Sequence, residues 1–291
     1  MKTLKFFALA TAAISLYSCK PKPLNIDIKQ EAPVLTISSA TPDNHTVLVS
    51  AGYSINSLVR LNDGSNSSVK IPKEMLLKDG LLTLTKDGGP TDTLYEISDG
   101  LYGNTRVNLE HLARYTINVY ESGKGLIGSA VTTYQQLPDV QYAEPQIDRR
   151  KGDTTVSVTV GISNIAPDDY YFISYNTTAN ARKQSPNAKM DVSTLASFTP
   201  KQLVLISGSE VNHGKIDKRV EMSVNTCDTL MVQTAKVDRA YFDYLTAYKR
   251  SGALINQLTG EPINMPSNVV KGFGFFSLFA PDRKVFYLKN Y

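Results

Sequence analysis

Short stretches that alternate apolar and polar residues, each closed by Gly, Pro, Asp or Asn, recur along most of this chain, and one helical period interrupts them late. Val34–Ser38, Thr46–Ser50, Leu81–Thr85, Thr93–Ile97, Tyr115–Tyr120 and Ile127–Thr132 predict strands. Lys86-Asp87-Gly88-Gly89-Pro90, Asp99-Gly100 and Glu121-Ser122-Gly123-Lys124-Gly125 supply the turns between them. Within the fifth strand Tyr115, Ile117 and Val119 share one face, and Thr116, Asn118 and Tyr120 share the other. Six or seven such strands in about 100 residues predict a β-sandwich of immunoglobulin or transthyretin type over 33–138. The chain has no Trp, so it carries the sandwich architecture without the Cys…Trp…Cys signature of antibody domains.

Leu137-Pro138-Asp139-Val140 reads as the exit from that sandwich and a hinge into a second β-rich domain, 139–291. There Thr154–Val160 alternates with Val156, Val158 and Val160 inward, and Tyr170–Tyr175, Gln202–Ile206 and Arg219–Val224 follow as strands. Polar 177–200 reads as a long loop, and the stretch holding Cys227 as a further strand with a buried or half-buried thiol. The one helix is expected near 239–250. Asp238 can cap it, Tyr241, Tyr244, Leu245 and Tyr248 recur at i, i+3, i+4 and i+7, and Gly252 stops it. Tyr241, Tyr244 and Tyr248 form a row that suits ligand stacking, but the same spacing serves packing against a sheet, and packing is the favoured reading. Gly272 and Gly274 lie inside a Phe-rich strand, so they predict a bend or a close backbone approach rather than a phosphate-cradling loop. The expected fold is all-β with one short helix.

Of the 291 residues, 42% are hydrophobic and 20% charged, the composition of a folded chain long enough for two domains. The N-terminus departs from that composition. Lys2 and Lys5 precede the apolar run Phe6–Leu16, and Ser18-Cys19 closes it in the manner of a bacterial lipobox. The run is too short to cross a bilayer as a helix. Residues 1–18 therefore read as a lipoprotein signal peptide, with Cys19 as the lipidated residue. Residues 19–32 read as a tether stiffened by Lys20-Pro21-Lys22-Pro23. The alternative is an ordinary secretory signal with an incidental Cys. No second apolar run reaches transmembrane length, which leaves this lipid as the membrane attachment. With two Cys in all, a lipidated Cys19 leaves Cys227 as a lone thiol and no disulfide.

The net charge of +4 is modest, and the densest basic group, Arg149-Arg150-Lys151, is short, so a nucleic-acid partner is not expected. His45, His111 and His213 are scattered singly, without the spacing of metal ligands. Ser207-Gly208-Ser209 lacks the strand-to-helix setting of a nucleophile elbow, and Asp168-Asp169 sits in a turn where solvated acids are ordinary. The sequence thus predicts no catalytic residues, no cofactor and no metal.

Several features together resemble a Bacteroidota lipoprotein family known as domain of unknown function 4249. They are Cys19, Asp99-Gly100-Leu101-Tyr102 ahead of Tyr115–Val119, the Leu137-Pro138-Asp139-Val140 exit and Tyr241-Phe242-Asp243-Tyr244-Leu245. The last is the ending Pro266-Ser267-Asn268-Val269-Val270-Lys271-Gly272-Phe273-Gly274-Phe275-Phe276, where Lys271 stands in place of an expected Gly. The resemblance implies an outer-membrane lipoprotein associated with a TonB-dependent transporter of SusC type, and it carries no catalytic residues. The expected function is a non-enzymatic accessory or ligand-binding partner of such a transporter. The alternatives are a cell-envelope adhesion or matrix lipoprotein, or an envelope hydrolase whose acids converge only in space. Basic Lys20 and Lys22 leave both the periplasmic and the surface-facing side open. The Bacteroidota O-glycosylation pattern, Asp-Ser/Thr followed by an aliphatic residue or Thr, marks Thr93, Thr154 and Thr229 as candidate sites.

Overall fold

Hydrophobic alternation becomes strand pairing over most of the residues that the computed structural model describes, namely 32–54, 73–150, 153–178, 202–224, 229–251 and 264–291. Cys19, the tether, Cys227 and most of the polar stretch 177–200 lie outside them. The first strands are β1 (Leu35–Ala40), β2 (Val47–Tyr53), β3 (Leu81–Lys86), β4 (Thr91–Ser98), β5 (Leu101–Asn104), β6 (Arg114–Glu121) and β7 (Gly125–Thr133). They join two strands from the far end of the chain, β15 (Val269–Val270) and β16 (Gly272–Phe275), in one nine-stranded sheet. Its order is β15-β7-β6-β3-β4-β5-β2-β1-β16.

The two outermost strands of that order are separated in sequence by Lys271 alone, so the sheet curls until its edges meet. The turn of the sheet falls on β4, which pairs with β3 over its first half and with β5 from Tyr95 on, with a register shift between Glu96 and Ser98. Leu35, Ile37, Val49, Leu82, Leu84, Ile117 and Val119 point into the space enclosed, with Phe276 and Leu278 from the C-terminal part. Each such side chain contributes about 1.5–3 kcal/mol by leaving water.

The second half is two four-stranded sheets face to face. One contains β8 (Asp139–Tyr142), β9 (Gln146–Arg150), β10 (Asp153–Ser163) and β13 (Ile216–Ser223). The other has the order β12-β11-β14-β17, from β11 (Tyr170–Thr178), β12 (Gln202–Ser207), β14 (Thr229–Val237) and β17 (Pro281–Tyr287). Val156, Val158 and Val160 meet Ile173, Val232 and Phe286 between them, as the alternation of β10 predicts. The outer face of the second sheet carries the helix α1 (Arg239–Ser251).

Among the described residues the all-β class with one α-helix is thus the observed one. Three strands, β5, β8 and β9, escape the periodicity, β8 lying where the sequence predicts a hinge. In β5, Leu101, Tyr102 and Gly103 are all buried, which erases alternation. Short β9 follows β8 after Pro145. The sequence also leaves the whole tail with the second region, whereas Val269–Phe275 pairs with the first sheet and residues 33–291 cluster as one unit. Two glycines permit that return. A Cβ on Gly272 would stand 2.7 Å from the Leu35 carbonyl oxygen. One on Gly274, whose φ is +95°, would stand 2.0 Å from that of Ile37. The close approach expected of these glycines is the β1–β16 pairing.

Candidate functional site

Of the sequence-predicted site residues, Tyr241 and Tyr244 lie where α1 meets the C-terminal strand of the first sandwich. Asp238 starts the helix as the sequence predicts: its Oδ1 accepts the Tyr241 N–H at 2.7 Å. Its Oδ2 accepts the Thr132 hydroxyl of β7 at 3.4 Å, so one carboxylate caps the helix and ties it to the first sheet. Burial pushes the Asp238 carboxyl above its ordinary range, against the Tyr241 N–H, the Thr132 hydroxyl and the Ala240 N–H, which pull it down.

The helix then lays its rings on the returning C-terminal strand. Tyr241 stacks on Tyr244 (centroids 5.9 Å, planes 10° apart) and on Phe279 (5.9 Å, 22°), and both tyrosines lie 5.2 Å from Phe275. Phe279 meets Phe172 edge-on at 5.4 Å, and Phe242 meets Tyr170 at 5.0 Å. Burial raises the Tyr241 and Tyr244 phenols, the neighbouring phenols adding to it, so both stay neutral at physiological pH. Of the three tyrosines expected as a row, Tyr241 and Tyr244 are used in packing, and Tyr248, 39% exposed, presents its ring to solvent. The packing reading describes this helix.

Polar groups complete the junction, and sequence reasoning missed them. Asn268 donates to the Val131 carbonyl at 3.1 Å and to that of Phe276 at 2.7 Å, while its Oδ1 accepts the Phe276 N–H at 2.9 Å. Ser39 and Ser277 exchange two bonds, at 2.8 and 2.9 Å. Arg283 of β17 donates Nε to Gln233 at 3.0 Å and Nη1 to the Pro42 carbonyl on the loop between β1 and β2. Gln135 accepts the Ala280 N–H at 3.0 Å and donates its own N–H to Leu278 at 3.2 Å. The Pro-Ser-Asn run before the Gly-rich strand was the one available signal for Asn268. The others are ordinary polar residues whose partners lie far away in sequence.

A second buried polar group lies in the second sandwich. Asp169 sits 2.5 Å from Lys236 Nζ, and it accepts from the Ala166 N–H and the Tyr171 hydroxyl, each at 3.0 Å. Burial acts to raise this carboxyl, but Lys236, the Ala166 N–H and Tyr171 outweigh it and hold it below the usual carboxylate range. The acid expected to be solvated in a turn is therefore a buried, paired one, because the turn folds back onto β14.

Thr93 lies within β4, Thr154 within β10 and Thr229 at the start of β14, all half-buried. His45, His111 and His213 are each exposed on separate loops. Among the described residues no group of His, Cys, Asp and Glu is placed to hold a metal ion, and no helix is long and apolar enough to cross a membrane. What the junction assembles is aromatic surface and hydrogen-bond partners, the means of bracing two sandwiches against each other.

Known structures with some likeness include a two fibronectin type-III domain segment from chicken tenascin. It is 14% identical, covers 71% of this chain and 92% of its own, and has a TM-score of 0.22. The FN1–FN3 domains of chicken CNTN1 are 10% identical, with coverage of 72% and 61% and a TM-score of 0.25. A DUF3823 family protein from Bacteroides ovatus is 10% identical, with coverage of 55% and 82% and a TM-score of 0.18. No curated protein matches the chain. The family comparison is specific where these are not: the domain of unknown function DUF4249 matches residues 21–284, and the chain belongs to that family.

Proposed function

We propose that the chain is a lipid-anchored outer-membrane protein, non-enzymatic, that accompanies a TonB-dependent transporter of SusC type and helps capture or retain its ligand. The observation that carries the reading is the lipobox-type Leu16-Tyr17-Ser18-Cys19, placed just ahead of the family match at residue 21 and the folded unit at Pro33. The junction supports it in a second way. Rings, Asp238 and Arg283 join two sandwiches, and a braced body can hold a binding surface in fixed register with a partner.

Capture of the chain from outer membranes in mild detergent tests the proposal. A β-barrel transporter co-eluting with it is the expected result. Elution of the chain alone, with unchanged uptake when its gene is deleted, contradicts it.

A further inference from the structure

At the end of the first sandwich where the chain enters the fold, the surface is apolar and basic together. Leu35 of β1 lies opposite Gly272 on β16 and opposite Tyr53 on β2. Beside that entry point Val270 and Phe273 flank Lys271 at the meeting edges of the sheet. They are 58% and 56% exposed, and Lys271 is exposed between them. Val270 lies opposite Ser129 of β7, and Leu126, 50% exposed, is three residues along that strand, about 10 Å away. Next to Leu126, Lys124 stands over the Tyr53 ring at 5.5 Å. The acid of this corner, Glu121, is engaged by Lys124 at 2.9 Å and by the Tyr53 hydroxyl.

We infer that this corner, formed by Leu126, Val270 and Phe273 with Lys271, rests in the headgroup–acyl boundary of the bilayer to which the chain is tethered. The inference rests on the lipid-anchor reading of Cys19. A backbone from Cys19 to Pro33 reaches at most about 50 Å even when fully extended. It joins the fold on the strand that pairs with Val270–Phe273's own edge, so this corner is the part of the fold beside the tether's attachment point. Phe, Leu and Val beside Lys is the side-chain set of an interfacial contact, where apolar groups enter the acyl boundary and ammonium groups meet phosphate.

The chain has no Trp, so a single introduced indole reports its own site. Full-length precursor carrying Phe273→Trp, Leu126→Trp or, as a control on the second sandwich, Tyr287→Trp is processed in cells. The mature protein is then reconstituted into phosphatidylethanolamine–phosphatidylglycerol vesicles containing lipid brominated high on the acyl chain. The expected result is blue-shifted, bromine-quenched emission from Phe273→Trp and Leu126→Trp, and neither effect from Tyr287→Trp. Vesicle-bound protein with all three unquenched, or all three quenched alike, overturns the inference. Cys19→Ser separates the two readings. If it stays with membranes as the parent does, the anchor reading has failed and this surface falls with it. If it alone is lost from membranes, the anchor stands and the quenching pattern decides the corner.

Discussion

Lys271 turns the chain between β15 and β16 at a φ of +62°, a left-handed conformation that costs a side-chain-bearing residue about 1–2 kcal/mol. Glycine takes it freely but loses about 0.5–1 kcal/mol in unfolded-chain entropy. Lys271→Gly is therefore expected to raise stability by about 0.5–1 kcal/mol, read as an upward shift of the urea midpoint. Gly274→Ala is expected to cost about 3 kcal/mol or more, because its φ and the Ile37 carbonyl both exclude a Cβ. Asp169 gives a pH test. Its carboxyl titrates below the ordinary value of 3.8, so the folded state binds that proton less well than the unfolded one. Its stabilisation is complete above that value and is lost as pH falls through the lowered one. Lys236→Met leaves a buried carboxylate unpaired. It should cost about 3 kcal/mol at neutral pH, and less in acid where Asp169 is protonated, as seen in melting temperatures across pH.

At the scale of elements, the helix separates packing from display. Tyr241→Ala empties the space between Phe275, Phe279 and Tyr244 and is expected to cost about 3–5 kcal/mol, while Tyr248→Ala costs less than about 0.5 kcal/mol. Equal costs in chemical denaturation would contradict the burial described. The helix was legible because its 3.6 period and its Asp238 cap are local signals. The strands with one buried face, β6 and β10 above all, were legible for the same reason. β5 was not, since a strand buried on both faces has no alternation to show. Pairing across the chain was not legible either. Glycines marked β16 as a place of close approach, but only the fold names β1 as what approaches. Asn268 and Arg283 look like surface residues until the sequence-distant segments they bond are brought together.

On the scale of the whole molecule, the C-terminal strands make two sandwiches into one body. Residues 264–280 complete the first sheet and core, and β17 directly afterwards completes the second. Neither sandwich keeps all its strands without the other, so calorimetry of the mature chain is expected to give a single transition with equal calorimetric and van't Hoff enthalpies. Two resolved transitions would contradict the fusion. The proposed role adds an address to this body. In that proposal the tether would deliver the body to a membrane, the corner beside the tether would meet the lipid, and the remaining surface would be left for transporter and ligand. All of this depends on Cys19. The most direct test is the intact mass and N-terminal peptide of the chain purified from membranes: the account predicts a protein beginning at Cys19 and carrying acyl chains. A chain that begins at any other residue, or whose Cys19 bears no lipid, would contradict it.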